Sequence, residues 1–258
     1  MHIPSRLLLL LLLLLLLLLL LLLLHKSVPC VFWEQYLQDV AITSLNLSGS
    51  DSDLPLNVRR IIPLPTPPRA VTISSFVKAV WAVVLAQVTG QRDLVFGHVL
   101  NGRDTPVAGV HAMSRPCVTV CLIRITIPSP SNNQVLNLLY HAQHQNTRAL
   151  PYTGIDFEAI RQHSTSWPTN TSFSSLLTYR NGAHRSNYSF QGHEYTMRTR
   201  GIGSLAQIHV VTDPLQDRDQ LIVYLDISSL LGSLGHIEDL LKRFCSAITD
   251  LDRGGFPL

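Results

Sequence analysis

The stretch TISSFVKAVWAVVLAQVTGQRDLVFGHVLNGRD, residues 72–104, decides the fold of this chain, because it contains two clear elements and the turn that joins them. Apolar residues recur at spacings of three and four through its first half, which is the period of a helix with a wide apolar face. Ser74 and Ser75 are candidate N-caps, and Gly90 ends the helix. The sequence therefore predicts a helix over residues 73–89.

A short β-branched and aromatic run, DLVFGHVL at 93–100, follows this helix. Its almost continuous apolar character is typical of a strand covered on both faces. The tetrapeptide NGRD at 101–104 predicts the turn after the strand.

Further strands and helices are predicted toward the C terminus. Residues 115–127 form the longest β-branched run and predict a central strand. Runs bounded by Gly, Asn, Asp and Pro predict strands at 173–179, 194–199, 205–212 and 220–227. Helical spacing predicts helices at 132–150, 154–162 and 234–251.

The order of these elements differs from the strict alternation of strand and helix in doubly wound sheets. It predicts an α+β fold in which helices pack on one mixed β-sheet, built mainly from residues 93–100, 116–127, 173–180, 205–212 and 220–227. We expect one core, with large members at Trp81, Leu85, Phe96, Val118, Leu176, Ile222 and Leu241.

The N-terminal part of the chain contains a homopolymer, a short helix and a connector. Residues 7–24 are all leucine, and at about 1.5 Å per residue they make a helix of roughly 27 Å, close to the hydrocarbon thickness of a bilayer. Two interpretations stay open: a membrane anchor or signal segment, and a translated repeat that does not insert. Residues 28–40 predict a short amphipathic helix. Residues 44–69, rich in Ser, Asp and Pro, predict a connector without a regular strand.

Composition and motifs exclude several classes of protein. Only 14% of the 258 residues are charged, the net charge is +3, and no dense Lys/Arg cluster indicates a nucleic-acid partner. The four cysteines lack CxxC spacing, so free thiols are expected. No Walker loop, Rossmann fingerprint, zinc-finger spacing or GxSxG motif occurs, and the sequence predicts no metal site.

Four ordered segments carry a family resemblance. They are FWEQYL at 32–37, the helix and strand at 74–104, RPCVTVCLIR at 115–124, and IDFEAIRQHSTSWPTNTSFSSLLTYRN at 155–181. The chain from about Phe32 onward resembles the C-terminal half of a condensation domain from fungal nonribosomal peptide synthetases, in the chloramphenicol-acetyltransferase-like superfamily. The resemblance implies a single lobe of the CoA-dependent acyltransferase (condensation-domain) fold over residues 30–258, after a poly-Leu tract at 1–29.

The sequence also departs from the family pattern. Condensation domains have two lobes, and their carrier-bound substrates meet at the lobe junction beside an HHxxxDG motif of the first lobe. This sequence lacks the motif, and HxxxD spacing occurs only at His209 and Asp213. Arg115, Thr119 and Leu122 stand where the family has Gly, Asn and often Pro.

The resemblance implies a function and the partners it needs. We expect a truncated condensation domain from a family that forms amide bonds between carrier-bound amino acids in secondary-metabolite biosynthesis, inactive alone. The alternative is a noncatalytic module that binds a carrier protein or partner. Peptidyl carrier domains or the missing N-terminal lobe are the expected partners, and phosphopantetheine on the carriers is the implied cofactor. The family implies a cytoplasmic location, with membrane association if residues 7–24 insert.

Four residues are candidates for the substrate site or the lobe interface. In the family, the turn corresponding to Gly102 and Arg103 follows a strand that lines the interface. An arginine there can hold a carboxylate or backbone carbonyls in a fixed fork. Ser174 and Tyr179 are candidates for the acceptor side.

Three histidines are expected to be structural or surface residues. His98 lies near the end of its predicted strand, and the family's base comes from the other lobe. His141 and His144 share a helix face, but no acidic residue or cysteine completes a metal site.

Overall fold

The computed structural model describes residues 5–45, 56–104, 108–114, 117–129, 133–180, 187–196, 206–215, 219–227 and 234–255. Within these residues the α-helices are α1 Ser5–Tyr36, α2 Ile73–Thr89, α3 Gln134–Ala149, α4 Phe157–Ser164 and α5 Leu234–Asp252. The strands are β1 Leu56–Pro63, β2 Asp93–Asn101, β3 Val118–Thr126, β4 Phe173–Tyr179, β5 Asn187–Phe190, β6 His193–Thr196, β7 Ala206–Leu215 and β8 Gln220–Ile227.

Six strands form one mixed sheet in the order β1-β8-β7-β4-β2-β3. The central strands β2, β4 and β7 are parallel, and the outer pairs are antiparallel. Strands β5 and β6 form a separate antiparallel hairpin in the crossover between β4 and β7. The predicted α+β fold is confirmed, and the described part of each of the five segments expected in the main sheet contributes a strand to it.

Helix α2 is enclosed by the rest of the domain. Residues Ser75–Ala86 are all buried, which explains why apolar residues and alanines surround the helix axis. Gly90 adopts φ +71° at the C-cap, as predicted. The predicted N-caps Ser74 and Ser75 are wrong, because Thr72 is the cap and its hydroxyl accepts a hydrogen bond from the Ser75 N–H at 3.2 Å.

The sheet separates two hydrophobic clusters. The larger one lies between the sheet and helices α2, α3 and α5, and includes Trp81, Leu85, Phe96 and Leu241. The smaller one covers part of the opposite face with the C-terminal part of α1 and helix α4, and includes Leu176. We call these sides the helix face and the opposite face.

The prediction of one core is therefore wrong, and two of its members were misplaced. Val118 is 58% exposed at the start of an edge strand, and Ile222 is half-buried because Leu221 and Val223 point to the helix face. A strand with apolar residues at nearly every position does not reveal which alternate set faces the larger core.

The predicted connector at 44–69 contains a strand. Strand β1 pairs with β8 along eight register positions, from Leu56 opposite Ile227 to Pro63 opposite Gln220. Pro63 is its last residue and β1 is an edge strand, so the missing N–H removes no interior ladder bond. Likewise, the described part of the strand predicted at 194–199 belongs to the separate hairpin.

Helix α1 is longer than the segment predicted at 28–40. It begins at Ser5, before the leucine tract, continues through Pro29 and ends at Tyr36. Leu11–Leu20 are 54–70% exposed, whereas Trp33 is fully buried against the domain. Among the residues with described structure, no helix satisfies both the length and the hydropathy required to cross a membrane.

Candidate functional site

The parallel strands β2, β4 and β7 all end at one edge of the sheet. Two sequence-predicted candidates, Gly102 and Arg103, directly follow β2, and Tyr179 is the last residue of β4. Val99 lies beside Thr178 in the register, so these chain ends are neighbours. Ser174 lies at the opposite end of β4, so the structure does not bring it together with the other three.

The Arg103 side chain binds backbone carbonyls. Its Nη1 donates to the Val110 carbonyl oxygen and its Nη2 to the Met113 carbonyl oxygen, each at 2.9 Å. The guanidinium thus fixes the loop after β2 through the fork geometry expected of arginine.

Gly102 allows a close backbone approach at the same turn. Its N–H donates to the Cys117 carbonyl oxygen at 2.5 Å, and a Cβ added at this position would stand 2.8 Å from that oxygen. A side chain is therefore excluded by contact with backbone.

The β4 candidates lie in different environments. Ser174 is buried, 6% exposed, while its neighbour Ser175 accepts a hydrogen bond from Trp81 Nε1 on the helix face. Tyr179 is half-buried at the edge of the sheet. Burial raises the pKa of the Tyr179 hydroxyl, and the Asp213 carboxylate raises it further.

A polar cluster on the opposite face, formed by Thr178, His209, Asp226 and Asn57, was not predicted. Thr178 Oγ1 and His209 Nε2 are 2.7 Å apart, and His209 is directly opposite Asp226 in the β7–β8 register. Asn57 donates from Nδ2 to Oδ1 of Asp226. Three adjacent strands and the edge strand β1 thus contribute one side chain each to a continuous polar row.

His209 is the most enclosed titratable group of this row. It is 8% exposed, and its Nδ1 has no hydrogen-bond partner among the described residues. Burial lowers the pKa of His209, the Asp226 carboxylate opposes that shift, and Arg180 adds to it. The imidazole is consequently favoured in its neutral form, which can accept a proton.

Arg180 and Asp213 continue the polar surface at the edge of the sheet. Their Nη1 and Oδ2 atoms form a salt bridge at 3.4 Å. The HxxxD spacing of His209 and Asp213 therefore does not unite the two side chains, because Asp213 pairs with Arg180 and His209 with Thr178. No sequence motif identifies the contact between Thr178 and His209, because it depends on the register of two strands that are neighbours in the sheet but distant in the sequence.

Of the three histidines expected to be structural or surface residues, His98 is buried, His141 is half-buried and His144 is exposed. Both His98 nitrogens are buried without a partner in the described part of the chain, near Lys78 and Cys121 on the helix face. His141 Nε2 accepts a hydrogen bond from the Thr126 N–H at 3.2 Å, at the outer edge of the sheet. Among the described residues, no three His, Cys, Asp or Glu side chains form a group suited to a metal ion.

Sequence comparisons relate the chain to fungal synthetases. The condensation-domain family profile matches residues 66–209. The chain is 37% identical over 161 residues to nonribosomal peptide synthetase fmqC of Aspergillus fumigatus, covering 59% of this chain and 14% of that protein. It is 28% identical over 230 residues to nonribosomal peptide synthetase 4 of Gibberella zeae, covering 86% of this chain and 3% of that protein.

Solved structures share the fold. A crystal structure of a protein named holo T3CT matches with a TM-score of 0.72 at 27% identity, covering 87% of this chain and 50% of the solved chain. A mutant of the starter condensation domain of rhizomide synthetase RzmA, in complex with C8-CoA and Leu-SNAC, matches with a TM-score of 0.73 at 17% identity. This chain spans about half of each solved chain.

Proposed function

Because the chain belongs to the condensation-domain family, we propose that it acts as the C-terminal lobe of a condensation domain in a nonribosomal peptide synthetase. One observation carries the proposal: the fold accounts for 88% of this chain but only 52% of the solved starter condensation domain of rhizomide synthetase RzmA, as expected for one of two lobes. The lobe would contribute to amide-bond formation between carrier-bound amino acids in secondary-metabolite biosynthesis.

The proposed lobe supplies one wall of a site that needs two. Condensation requires the acceptor amine to be held against the donor thioester, and positioning two tethered reactants lowers the barrier only when both are bound together. The HHxxxDG motif that the family places beside the amine is absent from this sequence. The chain is therefore inactive alone, and its reaction needs a first lobe and two carriers bearing phosphopantetheine.

The hairpin of β5 and β6 is a second observation in favour of an interaction with a first lobe. It lies in the crossover between two central strands, and in the part of the chain that is described it pairs with no strand of the main sheet. An isolated two-stranded hairpin is only marginally stable in water. We propose that the first lobe covers this hairpin.

The sheet edge at the ends of β2, β4 and β7 is the proposed junction side. Tyr179 would line it, with Arg103 and Gly102 fixing the loop beside it, while Ser174 lies farther away and would line the acceptor side at the opposite end of β4. A carrier-bound substrate would reach the polar row on the opposite face from this edge.

We place this activity in the cytoplasm, as the family implies. The second candidate, a noncatalytic binding module, is favoured by the missing HHxxxDG motif alone. It differs from the first in one respect: such a chain would bind a carrier or a first lobe without restoring condensation.

Association with a first lobe tests the proposal. The N-terminal half of a fungal condensation domain is titrated into this chain by calorimetry, and amide hydrogen exchange is followed at residues 187–196. We expect saturable binding and slower exchange in the hairpin. The two halves of the donor domain, expressed separately, serve as the positive control. If those halves associate and this chain does not bind the first half, the lobe proposal is wrong.

A further inference from the structure

The polar row on the opposite face contains a hydroxyl, an imidazole and a carboxylate on three adjacent strands. Thr178 is on β4, His209 on β7 and Asp226 on β8. We propose that Thr178 is an acyl acceptor and His209 its general base, so that this lobe takes the acyl group of an apolar acyl thioester onto Thr178 Oγ1. The substrate class rests on the proposed function, but the site needs neither the first lobe nor a carrier.

The geometry fits a nucleophile and its base. Thr178 Oγ1 and His209 Nε2 are 2.7 Å apart, inside the range of roughly 2.6–3.2 Å that an activated hydroxyl requires. Because Nε2 must accept the hydroxyl proton, the imidazole carries its own proton on Nδ1. This Nδ1 is buried and has no hydrogen-bond partner in the described residues, so the ring is held by packing and by the contact with Thr178.

The neighbouring charges favour the imidazolium that forms during the step. Asp226 lies directly across from His209 in the register, and Asn57 holds its Oδ1 by a hydrogen bond. The Asp226 carboxylate raises the pKa of His209 while burial lowers it, so the resting imidazole is neutral and the transient cation has a fixed counter-charge. Arg180 opposes the effect of Asp226 on the pKa of His209, and its guanidinium is paired with the Asp213 carboxylate.

The acyl transfer balances without a further reactant. Thr178 Oγ1 attacks the thioester carbonyl carbon while its proton moves to His209 Nε2. The C–S bond then breaks, and the leaving thiolate takes the proton from Nε2. The products are an ester on Thr178 and a free thiol. A water molecule activated by the same imidazole can later cleave the ester to a carboxylic acid and the original hydroxyl.

The surroundings select an apolar acyl group. Val211 is the register partner of Thr178 on β7, and Tyr224 is the register partner of Val211 on β8. Val211 is 3% exposed and Tyr224 is half-buried, so an apolar wall stands beside the hydroxyl. Helix α5 contacts β8, and it packs on the helix face of the sheet.

A small thioester tests the site directly. The full chain is incubated with octanoyl-N-acetylcysteamine, treated with neutral hydroxylamine to remove acyl groups from cysteines, and mapped by tandem mass spectrometry. We expect an octanoyl ester on Thr178 whose rate of formation increases with pH through a midpoint below 6.5, because the base must be neutral. Thr178→Val should abolish it, Thr178→Ser should retain it, and His209→Gln should slow it about 10²-fold.

Thr153→Val is the matched control, because Thr153 Oγ1 donates to the Leu150 carbonyl oxygen far from the row; it should leave the rate unchanged. Thermal melting verifies that each variant is folded. If Thr178→Val does not fold, Thr178→Ser and His209→Gln decide the question. Absence of an ester on Thr178, or an equal rate in His209→Gln, overturns the proposal. Neither result bears on lobe association, which is measured separately by calorimetry.

Discussion

The Arg103 guanidinium holds the loop after β2 by donating hydrogen bonds to the carbonyl oxygens of Val110 and Met113. We therefore expect Arg103 to contribute to the stability of the fold. Its two hydrogen bonds from a charged donor to backbone carbonyls are lost in Arg103→Ala, which should lower the free energy of unfolding by about 1–3 kcal/mol. Arg103→Lys should recover only part of this, because an ammonium cannot span both carbonyls. Urea denaturation measures both values.

Arg243→Ala is the matched control for Arg103. Arg243 forms an exposed pair with Asp239 one helical turn away, and such pairs contribute less than about 1 kcal/mol. Equal losses in the two alanine variants would mean that the Arg103 fork does not hold the loop.

His98 makes the fold sensitive to acid. Burial lowers its pKa well below the ordinary value, and the Lys78 ammonium lowers it further, although burial also lowers the pKa of Lys78 to about 8. The nearby Cys121 thiol, whose pKa burial raises to about 12, stays neutral. At a pH between the folded and unfolded pKa values of His98, the unfolded chain binds the proton and the folded chain does not. Stability is therefore fully present above about pH 6.5 and decreases as the pH falls.

The predicted measurement is the free energy of unfolding at pH 7 and pH 5. His98 can account for a loss of at most about 2 kcal/mol over this interval, the limit that an unfolded-state pKa of about 6.5 allows, so His98→Leu should show a smaller decrease than the unaltered chain. Burial also lowers the pKa values of His209 and His141, so these two residues retain part of the pH dependence of the free energy of unfolding in His98→Leu. If the free energy of unfolding of His98→Leu decreases between pH 7 and pH 5 as much as that of the unaltered chain, the prediction is contradicted.

At the scale of elements, the contact between β2 and β4 depends on Gly97. A Cβ at this position would stand 2.3 Å from Leu176 Cδ2 and 2.7 Å from Phe173 Cδ1. Gly97→Ala should therefore overpack the opposite face and lower the free energy of unfolding by about 1–3 kcal/mol.

Gly154→Ala is the control for Gly97. No atom lies within 4 Å of a Cβ built at Gly154, so its effect should stay within about 0.5 kcal/mol. Urea denaturation of both variants makes the comparison, and similar stabilities would show that the two strands do not approach as closely as described.

Local patterns predicted some elements and could not predict others. The helix and strand of residues 72–104 were predictable because each has a clear period and turn residues at its end. Strand β1 was missed because its sequence, LNVRRIIP, lacks a regular alternation and continues directly into a proline-rich stretch that is typical of connectors. The predicted capping serines were wrong because the true cap, Thr72, lies two positions before Ser74 and three before Ser75.

The site was less predictable than the fold. Arg103 and Gly102 follow a recognisable turn, so the sequence indicated them. The pairing of Thr178 with His209 depends on the parallel register of β4 and β7, which are separated by a long crossover, and no local pattern encodes that register. Which residues of β3 and β8 face the larger core was equally hidden, as Val118 and Ile222 demonstrate.

At the scale of the whole molecule, we propose that this lobe acts together with a first lobe. The fold matches half of the solved chains, one hairpin is separate from the main sheet, and the motif that the family uses for condensation is absent. The leucine tract lies within helix α1, whose C-terminal part packs on the lobe. Carbonate extraction of the expressed protein decides whether the tract attaches the chain to a membrane. Recovery in the soluble fraction would remove the anchor interpretation.

The most direct test of the central claim is the formation of dipeptidyl thioester from a donor-loaded and an acceptor-loaded carrier protein. Three samples are compared by mass spectrometry: carriers alone, carriers with this chain, and carriers with this chain and a separate first lobe that contains HHxxxDG. The first lobe without this chain is the control. We predict product above background only when both lobes are present. Product above background with this chain alone would contradict the account.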